Sequence, residues 1–391
     1  MNKNFNFLPS QYKKNNSKIN HNYLSSQFSD YKKILNKISK VVKRNDFTLG
    51  EEVNKFERNI SKLIGAKHVL AVGSGTDAIM LSLKCLGVEK GDEVITTPFT
   101  FYATIGAIVT SGAKPVFVDV KDDYNIDPDL IEKKITKKTK AIIIVHMAGF
   151  ACQIDLIQKI CKKYKIKLIE DCAHSVGTKF KSIHVGNFGV SGCFSFYPTK
   201  QITTGEGGML VTNNKSFYNK IRKLKAFGID KDINQRTKQG TYDVVSLGFN
   251  YRLTDFQSAL GLKQIGNYKE NLKKRHLLAK KYTKGLQNIQ QVRCMPYSSD
   301  CSFFVFQIFC KDRDKLLKEF KIKKIGVSIH YATPLPSMTY YKKKYNFKKI
   351  NFKNAKNYAD TNISLPIYPS LNFKELNKIV EVINKFYEHS K

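Results

Sequence analysis

Residues 141–174 of the chain read AIIIVHMAGFACQIDLIQKICKKYKIKLIEDCAH. An apolar run at 141–146 is followed by a segment from Gln153 whose apolar residues recur at helical spacing, and then by a second apolar run at 166–170. This strand–helix–strand order predicts a βαβ crossover, in which a helix covers one face of two parallel strands. The stretch ends on polar residues, which therefore follow directly where the second strand stops.

The same alternation continues in both directions along the chain. Apolar runs that predict strands lie at 69–72, 93–97, 115–120, 192–197 and 208–212, and segments with helical spacing begin at residues 31, 76, 101, 128, 215 and 254. Alternating strands and helices are typical of an α/β fold with a mainly parallel central sheet and helices on both faces. The last of these helices is expected to run unbroken from Thr254 into the 280s.

The pattern divides the chain into three parts. Residues 1–30 are rich in Asn, Lys and Ser, which predicts a loosely held polar arm. Residues 31–274 form the predicted large α/β domain. After Val292 the composition changes, and the run FFVFQIFC at 303–310 predicts a strand within a smaller C-terminal α+β domain at 275–391.

Composition excludes several classes of protein. With 42% hydrophobic and 25% charged residues, the chain of 391 residues is not dominated by disorder. Its apolar runs are far shorter than the ~20 residues of a membrane span, and residues 1–7 lack the apolar core of a signal peptide, so we expect a cytoplasmic protein. The eight cysteines form no CxxC pair, which favours reduced thiols and no metal site.

The net charge of +35 raises the question of a polyanionic partner. Lysine is spread along the whole chain without an Arg-rich block, so the charge does not single out a nucleic acid. An anionic small molecule that carries phosphate fits the charge equally well. We therefore expect no nucleic-acid partner.

A glycine-containing turn, VGSGTDA at 72–78, separates a predicted strand from a predicted helix. Glycines let a ligand approach the backbone, and a helix start offers free N–H groups with about half a positive charge. With the hydroxyl of Thr76, the turn is a candidate phosphate cradle. It matches neither the Walker A nor the GxGxxG pattern, and a turn that only caps a helix remains an open interpretation.

Two polar residues follow the strand at 166–170. Asp171 is expected at the carboxyl edge of the sheet, where open α/β sheets bind their ligands. His174 lies three residues further on. Taken alone, Asp171 could equally cap a turn, and His174 could be an ordinary core histidine.

Lys200 lies in the stretch CFSFYPTKQITTGEGGM at 193–209, between a predicted strand and a glycine-rich turn. A single lysine among the dozens in this chain does not by itself indicate catalysis, but the Ser, Phe, Pro and Gly residues around Lys200 form a specific sequence pattern. A lysine held on a rigid loop and partly desolvated has a lowered pKa, so that it can attack a carbonyl.

Together these pieces meet the needs of pyridoxal phosphate. That cofactor requires an amine for its aldehyde, a carboxylate that keeps its pyridine nitrogen protonated, and an anion cradle for its phosphate. Lys200, Asp171 and the turn at 72–78 supply one each. An aromatic ring should stack on the cofactor, and Phe101 is the first candidate, although it could also be an ordinary core residue.

At this point the chain resembles the DegT/DnrJ/StrS-type nucleotide-sugar aminotransferases over roughly residues 45–385. The resemblance is carried by seven motifs in order: SGTDA at 74–78, PFTFYAT at 98–104, EDCAH at 170–174, SFYPTK at 195–200, GEGG at 205–208, GFNYRLT at 248–254 and SLPIYP at 364–369. The family implies a fold-type I pyridoxal-phosphate fold and a homodimer with shared active sites. The N-terminal arm departs from the family pattern.

The resemblance also implies roles for matching positions. Lys200 would hold the cofactor, Asp171 would pair with its pyridine nitrogen, and His174 would lie beside its 3-oxygen. The phosphate would be bound by three residues of one chain and by one residue of the neighbouring subunit. These are Gly75, Thr76 and Ser195, with Asn250 from the neighbour.

The implied reaction has two halves. An amino acid, usually glutamate in this family, gives its amino group to the cofactor, and a keto sugar carried on a nucleotide then accepts it. The amino sugar would serve surface polysaccharide or glycan synthesis. One alternative is a related sugar dehydratase, but such relatives have His in place of Lys200. The other is a non-catalytic protein of this fold, or a nucleic-acid-binding protein.

The position of amination is suggested by two short segments. VHMAG at 145–149 and VSIHY at 327–331 look more like the 4-amino-sugar branch of the family than the 3-amino branch. His330 and Tyr331 are candidates to face the sugar or the partner subunit, and a purely structural role is equally open.

Overall fold

The protein's structure is a computed structural model that describes residues 18–231, 237–238, 240–347 and 352–388. Within these ranges the strands are β1 (His68–Val72), β2 (Glu93–Thr96), β3 (Lys114–Phe117), β4 (Thr139–Val145), β5 (Lys167–Asp171), β6 (Lys179–Phe180), β7 (Ile183–His184), β8 (Ser191–Ser195), β9 (Gly208–Thr212), β10 (Arg293–Cys294), β11 (Phe306–Phe309) and β12 (Asn362–Leu365). The α-helices are α1 (Leu24–Gln27), α2 (Tyr31–Arg44), α3 (Glu51–Ile64), α4 (Gly75–Cys85), α5 (Tyr102–Thr110), α6 (Ile154–Tyr164), α7 (Lys215–Leu224), α8 (Asp255–Gly266), α9 (Tyr268–Leu286), α10 (Arg313–Ile322), α11 (Thr339–Tyr345), α12 (Lys353–Thr361) and α13 (Phe373–Glu388). In the described part of the chain, no helix is both long enough and apolar enough to cross a bilayer.

The central sheet has the strand order β1-β9-β8-β5-β4-β2-β3. The strands from β8 to β3 run parallel, whereas β9 pairs antiparallel with both of its neighbours. The predicted α/β fold with a mainly parallel sheet is therefore confirmed. Val145, Asp171 and Cys193 lie side by side, so β4, β5 and β8 end at the same edge.

Alternate residues of the central strands pack on opposite faces of the sheet. In β4, Ile142 and Ile144 join a core with helices α3 and α6, whereas Ile143 joins a second core with α4, α5 and α7. Each of these isoleucines is fully buried, and burying such a side chain contributes about 1.5–3 kcal/mol. The unbroken apolar run in β4 follows from this arrangement, because both faces of the strand are covered by helices.

A second, antiparallel sheet consists of β10, β11 and β12. Helices α9, α10, α12 and α13 pack against it in one hydrophobic core, which confirms the smaller α+β part. The strand predicted at 303–310 is shorter than expected and covers only β11. Residues 303 and 304 bond elsewhere, because Arg275 Nη1 donates to the Phe303 carbonyl at 2.9 Å and the Phe304 N–H donates to the Ala148 carbonyl at 3.2 Å.

The single long helix predicted from Thr254 is wrong, because the chain forms two helices there. Thr254 begins α8 with a capping box in which its hydroxyl accepts a bond from the Gln257 N–H. The helix ends at Gly266, and Asn267 between the two helices has φ −96° and ψ 2°. Glycine and asparagine are weak helix formers, which accounts for the break.

Helix α9 passes from one core to the other. Tyr268 at its start packs in the core of the central sheet, whereas Leu278 and Tyr282 pack in the core of the small sheet. On this basis we propose that the large domain, 31–274, and the small domain, 275–391, meet within α9 near residue 275.

Residues 18–30 do not form the loosely held arm that their composition predicted. Ile19 is only 3% exposed and forms an isolated parallel bridge with Ile325. The Gly326 N–H donates to the Ile19 carbonyl at 2.8 Å, and Lys263 forms an ion pair with Asp30. This part of the arm is therefore packed on the body of the protein, while residues 1–17 lie outside the described residues.

Candidate active site

Asp171 is the last residue of β5 and is almost completely buried. Its Oδ2 accepts a hydrogen bond from Thr104 Oγ1 at 2.9 Å, and its Oδ1 accepts one from the Ala173 N–H at 3.1 Å. Burial raises the pKa of this carboxyl, while the two donors and the charge of Lys200 act to lower it. A carboxylate buried in this way is stabilised by a cationic partner.

Lys200 lies on the loop that joins β8 to β9, and its own N–H donates to the Tyr197 carbonyl at 2.9 Å. Its Nζ lies 4.6 Å from the centre of the Phe304 ring. Loss of hydration lowers the pKa of the amine to about 8, although the charge of Asp171 acts to raise it. A lysine with this pKa is partly unprotonated near neutral pH and can act as a nucleophile.

His174, three residues after the end of β5, is buried. Its ring stacks on Phe304, with centroids 4.2 Å apart, and its Nε2 is joined to the Tyr331 hydroxyl at 3.2 Å. Burial and the nearby charge of Lys200 lower the pKa of the imidazole well below its usual value, so the ring is neutral. Its Nδ1 is buried and has no hydrogen-bond partner among the described residues.

The turn at 72–78 packs directly against the end of β8. Helix α4 begins at Gly75, and the Ser74 hydroxyl caps it by accepting a bond from the Asp77 N–H at 3.0 Å. A Cβ added at Gly75 would lie 2.8 Å from the Ser195 Cβ, so only glycine fits there. The predicted phosphate residues Gly75, Thr76 and Ser195 are thus brought together at a helix start.

The remaining aromatic candidates surround Tyr331. Phe101 is 42% exposed, and its ring centroid lies 5.9 Å from that of Tyr331. The His330 ring lies 6.4 Å from His174, and its Nδ1 is joined to Ser364 Oγ at 2.9 Å. Phe101, His330 and Tyr331 therefore lie on the same side of the site as His174.

Asn250 is not brought into this group by its own chain. It is exposed, its Oδ1 accepts a bond from Arg252 Nε at 3.0 Å, and its backbone pairs with Ala226. A residue that acts in the neighbouring subunit would be exposed in this way, and its proposed contact with that subunit's phosphate stays a prediction.

Sequence reasoning missed two residues that hold the site together. Thr104 donates to Asp171, and its position in the motif at 98–104 was a usable signal. Phe304 contacts both Lys200 and His174, but it lies in an apolar run that reads as a strand. No local pattern marked Phe304, because its partners are more than 100 residues away in the sequence.

Glu170, next to Asp171, belongs to a buried network behind the site. Its two carboxylate oxygens accept bonds from the backbone N–H groups of Gly186, Phe188 and Gly189, and one of them is also joined to His146 Nε2 at 3.1 Å. Cys172 lies close enough to complete a possible set of metal ligands. The bonds already made by Glu170 favour a structural network that holds the end of β5.

The profile of the DegT/DnrJ/EryC1/StrS aminotransferase family matches residues 29–384. The chain belongs to this family. It is 36% identical over 348 residues to the spore coat polysaccharide biosynthesis protein SpsC of Bacillus subtilis. This match covers 85% of the present chain and 89% of SpsC. It is 33% identical over 364 residues to the UDP-4-amino-4,6-dideoxy-N-acetyl-beta-L-altrosamine transaminase of Campylobacter jejuni, covering 90% and 94% of the two chains.

The fold agrees with solved structures. A DegT/DnrJ/EryC1/StrS aminotransferase from Brucella abortus superposes with a TM-score of 0.86 at 29% identity, covering 94% of this chain and 99% of that one. NtdA from Bacillus subtilis, with its bound cofactor PMP, superposes with a TM-score of 0.88 at 27% identity, covering 95% of this chain and 86% of NtdA. This family member is therefore a pyridoxal-phosphate-dependent aminotransferase, as the sequence predicted.

The residues present fit this cofactor. The buried Asp171 carboxylate suits a cationic ring nitrogen, and Lys200 offers an amine of lowered pKa. The close packing of Gly75 on Ser195 sets the start of α4 beside a hydroxyl, an arrangement that suits a phosphate. The buried Nδ1 of His174, which has no partner in the described ranges, offers a further polar contact.

Proposed function

We propose that this aminotransferase moves an amino group from an amino acid, glutamate in the first instance, to a 4-keto sugar carried on a nucleotide. The observation that carries the proposal is the meeting of Lys200, Asp171 and His174 at one sheet edge, beside the Gly75 turn. The relatives named above act in spore coat polysaccharide biosynthesis and as an amino-sugar transaminase. Their functions support a nucleotide-sugar substrate and a role in glycan synthesis.

Each site residue has a distinct part in the proposed reaction. Pyridoxal phosphate, when bound, supplies an electron sink. Lys200 would hold the cofactor through its aldehyde and, as an amine of lowered pKa, would serve as base and acid at the donor's α-carbon. Asp171 would keep the ring nitrogen cationic, and His174, held neutral by burial, would lie beside the 3-oxygen. Gly75, Thr76 and Ser195 would hold the phosphate.

Two observations support the 4-keto assignment over the 3-keto one. The C. jejuni relative is a transaminase named for a 4-amino sugar. The segment at 327–331, which resembles the 4-amino branch, places His330 and Tyr331 beside His174 and Phe101. We propose that His330 and Tyr331 face the sugar from the side of the small domain and that Phe101 covers the cofactor ring.

We also propose that two copies form the working unit. Val244, Val245 and Leu247 are 55%, 54% and 75% exposed, which leaves an apolar segment without cover in the single chain. Asn250 lies three residues after Leu247. A second copy packed on this segment would bring Asn250 to the neighbouring active site.

The test is a transamination assay of the purified protein loaded with pyridoxal phosphate. It is incubated with glutamate and a panel of matched 3-keto and 4-keto nucleotide sugars, and each product is identified by mass spectrometry and NMR. We expect an amine at C4, with release of 2-oxoglutarate, and no product from the Lys200→Ala variant. Turnover of 3-keto sugars alone would overturn the 4-keto assignment, and turnover of none would overturn the substrate class.

A further inference from the structure

Residues 19–23 reach the active site from outside the stretch that the family profile covers, which begins at residue 29. They run beside Ile325 and Gly326 of the small domain. A Cβ added at Gly326 would lie 2.7 Å from the His21 backbone nitrogen, so the two segments are in close contact. We call residues 19–23 the N-terminal strap.

Tyr23 of the strap contacts the loop that carries Lys200. Its hydroxyl donates to the Gln201 carbonyl at 3.2 Å, one residue beyond Lys200. Gln201 is itself an anchor of that loop, because its side chain donates to the Ser302 carbonyl at 2.7 Å and accepts from the Tyr268 hydroxyl at 3.0 Å. Tyr23 is held in turn by stacking on Tyr368, with ring centroids 5.7 Å apart and an interplanar angle of 11°.

His21 of the strap covers His330. Their rings are stacked with centroids 6.0 Å apart at an angle of 30°. His21 Nδ1 is buried without a hydrogen-bond partner in the described ranges, an arrangement that weakens a fold rather than stabilising it. Burial lowers the pKa of His21 to about 4 and that of His330 to about 3, so both rings are neutral.

We propose that the N-terminal strap is a wall of the active site, in which Tyr23 positions the Lys200 loop and His21 positions His330 towards the acceptor sugar. The part that concerns His330 rests on the proposed function. The part that concerns Tyr23 rests only on the attachment of the cofactor to Lys200. The strap thereby links the small domain to the reacting amine.

The experiment compares four variants of the full chain: Tyr23→Phe, His21→Ala, His21→Phe and Ser29→Ala. Tyr23→Phe keeps the stack on Tyr368 and removes only the hydroxyl. His21→Phe keeps an aromatic ring over His330, whereas His21→Ala removes it. Ser29→Ala is the matched control, because it removes an exposed hydrogen bond to the Ser26 carbonyl, outside the strap.

Two readouts separate positioning from a loss of fold. For Tyr23→Phe we expect kcat to fall about tenfold while KM for the keto sugar stays unchanged. A tenfold fall is the effect expected when one hydrogen bond is lost. We also expect a shift in the pH at which the visible absorption of the Lys200-bound cofactor changes.

For His21→Ala we expect KM for the keto sugar nucleotide to rise about tenfold with kcat unchanged, and His21→Phe should restore the KM of the parent. By ¹⁵N NMR of the cofactor-free protein, the pKa of His330 should rise in His21→Ala and stay low in His21→Phe.

Each result bears on the proposal. Variants at Tyr23 and His21 that match Ser29→Ala in both the kinetic split and the titrations would overturn it, and so would equal effects of His21→Phe and His21→Ala. Calorimetric unfolding identifies a variant that has lost its fold. If the parent turns over no keto sugar nucleotide, the proposed function has failed, while the cofactor and His330 titrations still decide whether the strap positions the site.

Discussion

The desolvated amine of Lys200 weakens the cofactor-free fold as it prepares the reaction. Its pKa is about 8 in the folded chain and 10.5 as an ordinary lysine. Below pH 8 Lys200 is protonated in both the folded and the unfolded chain, so the full cost of burying its charge is subtracted from the free energy of unfolding. Between the two values the unfolded chain binds a proton that the folded chain lacks, so stability rises with pH.

Replacing Lys200 by methionine should therefore stabilise the cofactor-free protein. We expect the midpoint of thermal unfolding of Lys200→Met to exceed that of the parent at pH 7, and the gap to narrow towards pH 10.5. Calorimetry across this pH range measures it, with the exposed Lys284→Met as control. Equal midpoints at pH 7 would show that the amine is not desolvated.

Thr104 should set the acid limit of the reaction through its bond to Asp171. Its hydroxyl acts to lower the pKa of that carboxyl, so Thr104→Val, which keeps the shape, should raise it. We expect the acid limb of the pH–rate profile to move to higher pH and kcat at neutral pH to fall about tenfold, in line with a charge-assisted hydrogen bond. Thr104→Ser should restore both, and a profile unchanged in Thr104→Val would contradict this role.

The place of Asp171 at the carboxyl edge of the parallel sheet could be predicted from sequence because an apolar strand run ends there. Local pattern and topology were enough for that step. Phe304, Tyr331 and the strap could not be placed in this way. They reach the site through packing between domains, and such contacts leave no local periodicity in the sequence.

At the scale of elements, the start of α4 depends on a glycine. A Cβ at position 75 would meet Ser195 Cβ at 2.8 Å and the Phe194 carbonyl oxygen at 3.3 Å, so helix and strand would have to move apart. We expect Gly75→Ala to weaken pyridoxal-phosphate binding about tenfold or more, because the helix-start N–H groups shift from the phosphate. Equilibrium dialysis of the cofactor measures it.

Gly106 in α5 provides the matched control for that substitution. A Cβ there would meet only Tyr341 Oη, at 4.0 Å, and alanine within a helix is favoured over glycine by about 0.5–1 kcal/mol. Gly106→Ala should thus bind the cofactor as the parent does and unfold at a slightly higher temperature. Equal binding by Gly75→Ala and Gly106→Ala would place the phosphate elsewhere.

One element differs from expectation because a side chain competes with helix bonding. The helix predicted from Pro128 is instead a pair of short 3-10 turns, Pro128–Leu130 and Glu132–Lys134, and the Asp127 carboxylate closes the first by accepting from the Asp129 N–H at 3.0 Å. Apolar spacing alone does not report such local bonds. The long parallel strands were predicted well because burial on both faces produces continuous apolar runs.

For the whole molecule, the proposed dimer must overcome a net charge of +35 on each copy. Like charges oppose association, and salt screens them, so added salt should favour the dimer. Burial of the exposed apolar segment around Leu247 between the two copies would supply the favourable free energy that outweighs this repulsion. Leu247→Asp should shift the protein to a monomer by light scattering, while Lys284→Met should leave its mass unchanged.

Mixing two inactive variants tests whether the active sites are shared. Lys200→Ala lacks the amine, and Asn250→Ala lacks the proposed phosphate contact to the neighbour. In a mixed dimer one site combines the intact Lys200 of one copy with the intact Asn250 of the other. After refolding an equal mixture, about a quarter of the sites should be intact, and activity should reappear in that proportion. If Asn250 served its own chain, no arrangement of the two variants would contain an intact site, so the mixture would stay as inactive as its components.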